Sequence, residues 1–347
     1  MKKKILLLSL AGFICSAAIL SDFYQIEYPE YFPTPAYSFE RNPLSEAKIN
    51  LGRALFYDPI LSKDSTISCA SCHSPYNAFA HTDHDLSHGI NDQIGTRNAP
   101  ALFNLAWQKS FMWDGAINHL DVQSLAPISH PQEMGENIGN VTDKLQRKKM
   151  YPPLFYQAFS DSVITGEYVL KALAQFQLTL VSANSKYDEV KKGKAEFTDQ
   201  EKQGYVIFKK NCNSCHTEPL FSNYSFANNG LPVDSTLNDF GKWTITQQSE
   251  DSLLFKIPSL RNLSFTYPYM HDGRFRKLKE VLNHYSNNIQ PYPTLSDELK
   301  SFPNLTSVEQ TDLIAFILTL NDKSFVFDPI NKYPKKILNP TEGFSNE

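Results

Sequence analysis

Cys69-Ala70-Ser71-Cys72-His73 and Cys212-Asn213-Ser214-Cys215-His216 decide how the rest of this 347-residue chain is read. Each is C-x-x-C-H, the spacing at which two thiols on one turn reach the two vinyl groups of a porphyrin and form thioethers. The histidine that follows is then held against the iron as its proximal ligand. Disulfides within each pair, a zinc site and thioredoxin-like redox centres are the competing uses of such cysteines. A zinc site built from all four cysteines would leave the repeated histidine unexplained. Two covalently bound c-type haems account for all six residues.

Outward from the motifs, the pattern is helical. Thr198-x-x-Glu201 is a capping box, and Tyr205, Val206 and Phe208 give the helix behind it an apolar face that runs into the second motif. A second lead-in helix spans about Ser45 to Tyr57, with Ile49, Leu55 and Phe56 along one side. Further helices are expected from Tyr168 to Ala183 and from Thr306 to Leu320. No alternating strand series is present, and the stretch Lys186 to Glu196 reads as a link. The fold class expected is mainly α: two cytochrome c-like haem domains with long haem-wrapping loops, over residues 40–190 and 195–325, a division the chain length permits.

Lys2, Lys3 and Lys4 precede an apolar run from Ile5 to Leu20 with small residues at Ser16-Ala17-Ala18, the layout of an export signal over residues 1–20. The run is short for a permanent span. Gly12-Phe13-Ile14 ahead of Cys15 is a poor lipobox. Periplasmic export therefore leads over membrane anchoring, and it places the other four cysteines in a compartment suited to thioether maturation. Hydrophobic residues make up 41% of the chain and charged residues 20%, ordinary for a globular protein. Without its leader the chain would carry 30 basic and 37 acidic residues, a net charge of −7. That balance argues against nucleic acid as a partner.

Whether such a chain carries electrons or performs chemistry depends on the sixth ligands. Beyond the initiator there are four methionines, Met112, Met134, Met150 and Met270. The long polar segment from His73 to Met150 exceeds what a carrier needs.

Further residues carry a resemblance. After the first motif come His88-Gly89, Arg97-Asn98-Ala99-Pro100-Ala101-Leu102-Phe103-Asn104, Phe111-Met112-Trp113-Asp114-Gly115, Gln123, Pro127 and Glu133-Met134. The second half adds Ile257-Pro258-Ser259-Leu260-Arg261-Asn262 and Thr266-Tyr267-Pro268-Tyr269-Met270-His271-Asp272-Gly273. In these anchors the chain resembles the bacterial dihaem cytochrome c peroxidases and their relative MauG, over about Asn42 to Leu320.

The resemblance implies roles. His73 is the proximal ligand of a peroxidatic haem and His216 that of an electron-supplying haem. Trp113 stands between them. Glu133 is the distal acid–base group and Gln123 the second distal polar residue. A carboxyl of this kind can be tuned by burial, and one movable proton near the iron suffices for peroxide cleavage. His88 caps the peroxidatic iron at rest and is displaceable. Read without the family, His81, His84 and His88 form a local cluster that is either exposed or metal-binding.

At the second haem the family's peroxidases usually place a methionine fourteen positions after the residue matched by His271; here that position is Tyr285, as in MauG. Leu278, Val281, Leu282 and Tyr285 share a helical face, with His284 about 100° round it. Tyr285, Met270 and His284 are all open as sixth ligand, and core packing is the plain use of Tyr285. A phenolate there would lower the potential. The family also binds Ca²⁺ between the haems, which implies the side chain of Asn98 and the carbonyls of Thr266 and Pro268 as ligands.

Three activities follow from the resemblance: a peroxidase fed by a small c-type cytochrome or cupredoxin, a MauG-like oxidase of a partner protein's side chains, or a dihaem electron carrier. The resemblance leaves a homodimer open.

Overall fold

The computed structural model describes residues 24–339, so the expected export segment lies outside the described residues. Helices dominate. The first half holds α1 (Glu46–Tyr57), α2 (Cys69–Cys72), α3 (Leu120–Gln123), α4 (Leu125–Ser129), α5 (Ile138–Arg147), α6 (Tyr151–Phe159) and α7 (Gly166–Leu178). The second holds α8 (Lys186–Lys191), α9 (Asp199–Asn211), α10 (Trp243–Thr246), α11 (Leu278–Asn287), α12 (Ser307–Leu318), α13 (Lys323–Val326) and α14 (Lys335–Leu338). The regular strands among the described residues are two short antiparallel ones, β1 (Phe226–Ala227) and β2 (Phe255–Lys256). No helix among them is long and apolar enough to cross a membrane.

Local chemistry sets the helix starts. Ser45 caps α1, and Thr198 and Thr306 cap α9 and α12 in capping boxes with Glu201 and Glu309. The expected helix from Tyr168 to Ala183 differs at both ends. It begins at Gly166 under a Thr165 cap and stops at Leu178. Beyond it, Asn104 takes up the Ser182 amide at 2.9 Å and Asp322 those of Ala183 and Asn184 at 2.9 and 2.8 Å. Backbone groups paired with distant side chains have no reason to stay helical. The stretch expected to link the halves also differs. Its first part is α8, and Tyr187 and Asp188 are buried within it. Asp188 binds the guanidinium of Arg261 through two 2.8 Å contacts, with both side chains 0% exposed.

Two helix crossings repeat the same device. A Cβ on Gly52 of α1 would lie 1.8 Å from the Ala172 carbonyl oxygen of α7, and one on Gly204 of α9 would lie 1.9 Å from the Asp312 carbonyl oxygen of α12. Only glycine lets the backbones approach so closely. One turn on, Phe56 meets Phe176 at 5.2 Å and Phe208 meets Phe316 at 5.1 Å between ring centroids. Each crossing anchors its own apolar core. One contains Leu51, Phe56 and Phe176 and packs against Cys69; the other contains Phe208, Leu313 and Phe316 and packs against Cys212. The first core also takes in Phe32 from ahead of α1 and, from the far end of the chain, Phe325 and Val326.

Candidate haem sites

The single turn α2 sets Cys69 and Cys72 on one face, with His73 at its C-cap. The His73 ring is buried, its Nδ1 2.9 Å from the Phe79 carbonyl oxygen. Burial pushes its pKa down to about 4, against the opposing pull of the Phe79 carbonyl. A neutral imidazole donating from Nδ1 has its Nε2 lone pair available, the state an iron ligand requires.

The second motif repeats this. Cys212 caps the end of α9, and His216 Nδ1 lies 3.1 Å from the Pro258 carbonyl and 3.3 Å from that of Phe221. Burial lowers this ring to about 4 as well. Neither cysteine pair is joined as a disulfide. Among the described residues no three or more His, Cys, Asp or Glu side chains converge as a metal cluster. That finding sets aside both a shared zinc site and a metal site at His81, His84 and His88. The two motifs thus present paired thiols and one oriented imidazole each, which fits two porphyrins.

An apolar cavity runs from Cys212, Cys215 and His216 past Trp113 to Met112 and Gln123. Tyr285 and Met270 line it; His284 does not. The His284 ring is 1% exposed and its Nε2 is engaged by the Asn229 carbonyl at 3.0 Å. Burial pushes the Tyr285 hydroxyl up to about 12, a hydrogen bond to Asn229 opposes this, and the charges of Cys212 and Cys215 add to the rise. The hydroxyl therefore stands near the thiols of the second motif.

Trp113 is fixed at both ends. Its Nε1 donates to the Asn98 carbonyl at 2.8 Å, and its own carbonyl accepts from Lys256 N at 2.8 Å. Arg97 locks the flanking segments, reaching Asp114 at 2.5 Å and Asp239 at 2.6 and 2.8 Å. Asn98 Nδ2 lies 2.7 Å from the Pro268 carbonyl and 3.3 Å from that of Met270, while Thr266 lines the same cavity. Gln123 Nε2 is 3.6 Å from Met112 Sδ.

Glu133 belongs to the first motif's surroundings: its charge raises the thiols of both Cys69 and Cys72. Burial raises its own carboxyl and His130, 3.8 Å away, pulls it back. The side chain is 42% exposed, so its shift is partly screened by water. Gly89 rests on this loop, since a Cβ there would lie 2.1 Å from the Gln132 carbonyl oxygen and 2.5 Å from that of Glu133. His88 lies beside Cys72, whose Sγ is 3.8 Å from the His88 carbonyl. Its ring stacks on His84 at 4.6 Å, with Nδ1 2.6 Å from Asp92.

The model of a family described as di-haem cytochrome c peroxidase matches residues 46–196. The methylamine utilization protein MauG of Methylorubrum extorquens is 37% identical over 304 residues, which cover 84% of this chain and 82% of that protein. The chain belongs to the dihaem cytochrome c peroxidase/MauG family.

Other members of the dihaem family agree. The cytochrome c551 peroxidase of Nitrosomonas europaea is 32% identical over 283 residues, covering 80% of this chain and 81% of that one. The crystal structure of a MauG-like protein associated with microbial copper homeostasis superposes with a TM-score of 0.81 at 29% identity, over 90% of this chain and 99% of that one. The dihaem family implies two haem c groups, one at each motif, and it makes this chain an oxidoreductase acting on peroxide. Reading the sequence quoted Arg97, Asp114 and Arg261 without giving them a task, and it passed over Asp239 and Lys256. Nothing local marks Asp239, whose partner lies 142 residues away.

Proposed function

We propose that this member of the dihaem family reduces hydrogen peroxide at the haem of Cys69 and Cys72, turning H2O2, two protons and two electrons into two molecules of water. The electrons arrive one at a time from a small exported c-type cytochrome or cupredoxin at the haem of Cys212 and Cys215, in the periplasm. Two cytochrome c-like units, residues 40–190 and 195–325, would each hold one haem. The haems supply redox-active iron that receives peroxide and stores electrons.

The chain's residues do the rest. His73 and His216 would hold the two haem irons through Nε2, since their Nδ1 atoms are tied to carbonyls. Trp113, held on both sides along the cavity, shortens the electron's path. Glu133 takes the first proton of peroxide and returns it to the departing oxygen, with Gln123 hydrogen-bonding the substrate. His88, whose carbonyl lies by Cys72 and whose Nδ1 is held by Asp92, would act as a displaceable cap on the first iron. The charge of Glu133 acting on both thiols of the first motif is the observation that supports this reading. Asn98, its amide turned over about the Cβ–Cγ bond, would direct its oxygen with the Pro268 and Thr266 carbonyls at one Ca²⁺; chelation should then slow turnover.

Replacing Glu133 by Gln is the direct test. Peroxide turnover is expected to fall on the order of 10²- to 10⁴-fold with haem content and potentials unchanged. Unaltered turnover would remove Glu133 from the reaction.

Tyr285 supports a second reading, a MauG-like oxidase drawing electrons from side chains of a partner protein. Its hydroxyl reaches the cavity that holds His216, where a phenolate ligand would disfavour simple electron storage. Turnover sustained by a reduced small cytochrome separates the first activity from the second.

A further inference from the structure

Lys256 is a buried cation without an anion. Its Nζ lies 2.9 Å from both the Gln108 side-chain oxygen and the Ser110 carbonyl, and 5.7 Å from the centre of the Phe111 ring. All three neighbours are uncharged. Asp114 acts on it only from a distance and is already held by Arg97 at 2.5 Å. Burial accordingly pushes the amine down to about 7. A buried amine is stable when it acquires an anion, and otherwise it sheds its proton.

A second residue on the same cavity has a matching deficit. Tyr224 lines it, and its hydroxyl is buried with no hydrogen-bond partner among the described residues. Buried hydroxyls are seldom left so. Tyr224 leads into β1 and Lys256 lies in β2; the pairing of Phe226 with Lys256 holds the two segments together. An ammonium and a phenolic O–H are both donors. A carboxylate, with two oxygens and one negative charge, is the group that could answer both deficits.

We propose that Lys256 and Tyr224 form a carboxylate-binding subsite that receives a propionate of the haem attached through Cys212 and Cys215. The assignment rests on the cofactor reading above. A porphyrin stitched to the chain by its vinyl groups keeps its carboxylates at another edge, and the cavity otherwise offers such apolar walls as Leu260, Leu282 and Phe302. The cavity's own carboxylate, Glu298, acts on Cys215 and so belongs to the thioether end. Because the Lys256 amide also holds the Trp113 carbonyl, the subsite would couple that propionate to the segment carrying the indole.

The experiment compares wild type, Lys256→Met, Lys256→Arg and Tyr224→Phe, each shown by mass to carry two haems. Resonance Raman of the propionate bending bands and spectroelectrochemical midpoint potentials are the readouts. Lys256→Met is expected to shift one propionate band and to lower the potential of one haem only, since a cation beside a haem favours its reduced, more negative form. Lys256→Arg should stay near wild type in both. Tyr224→Phe should move the same band. It loses a single oxygen and keeps the packing, so it decides the matter if Lys256→Met fails to mature. Haem-loaded variants with unshifted bands would overturn the subsite alone. Wild-type protein without haem would remove the cofactor reading and the subsite with it.

Discussion

The indole Nε1 of Trp113 donates to the main-chain carbonyl of Asn98 at 2.8 Å, which ties the ring proposed to bridge the two haems to the residue proposed for Ca²⁺. The bond fixes the ring plane, and electron transfer across a gap depends on where an aromatic bridge sits. Trp113→Phe keeps an apolar ring but loses this tether. Interhaem electron transfer, followed by stopped-flow absorbance after half-reduction, is expected to slow at least about tenfold, the equivalent of about 1.4 kcal/mol in the barrier. Both haems should remain attached.

Glu133 should leave a mark on the pH profile. Burial raises its carboxyl, with His130 opposing, so the basic form that accepts the first proton is lost at a higher pH than for an ordinary glutamate at about 4.3. The acid limb of kcat/KM for peroxide is expected above that value in the wild type and absent in Glu133→Gln.

Tyr285→Phe removes the one oxygen that this side chain brings to the cavity beside Cys212 and Cys215. If the phenolate binds iron, the variant loses the corresponding optical and EPR signature, and the potential of that haem rises. Spectra identical to wild type would return the ring to plain packing.

Gly52→Ala and Gly204→Ala each force a methyl group against a carbonyl oxygen, at 1.8 and 1.9 Å before relaxation. Both helix pairs must part, so each substitution is expected to cost about 1–3 kcal/mol in urea unfolding. Alanine at the exposed, positive-φ Gly193, which has nothing within 4 Å, should disturb no packing and cost only backbone strain.

Asp188 and Arg261 bind each other in full burial. Burial alone would push the Asp188 carboxyl up, but the hydrogen bonds and charge of Arg261, with those of Ser185, outweigh it and hold the carboxyl below its ordinary value. A depressed carboxylate contributes stability that is fully present above its unfolded pKa of about 3.9 and is lost as pH falls through the folded value. Asp188→Ala should therefore cost about 3–5 kcal/mol at pH 7. The wild-type advantage in unfolding experiments should shrink only below about pH 4.

By itself the sequence settled what lies within a few residues: the paired thiols and the imidazole beside them, the capping boxes at Thr198 and Thr306, and the inward turn of Phe208 on the helix before Cys212, although Val206, expected on the same face, is exposed. Those features rest on bonds between near neighbours, which spacing alone specifies. Tertiary structure decided the rest. Helix α7 ends where Asn104 and Asp322 capture the backbone beyond it, and the start of the supposed link is buried where Asp188 meets Arg261. His284 is withdrawn from the cavity by the Asn229 carbonyl, while Tyr285, one position on, lines it. Each of these outcomes depends on a partner far along the chain, and a hydrogen bond or an ion pair leaves no trace in sequence until folding brings its two halves together.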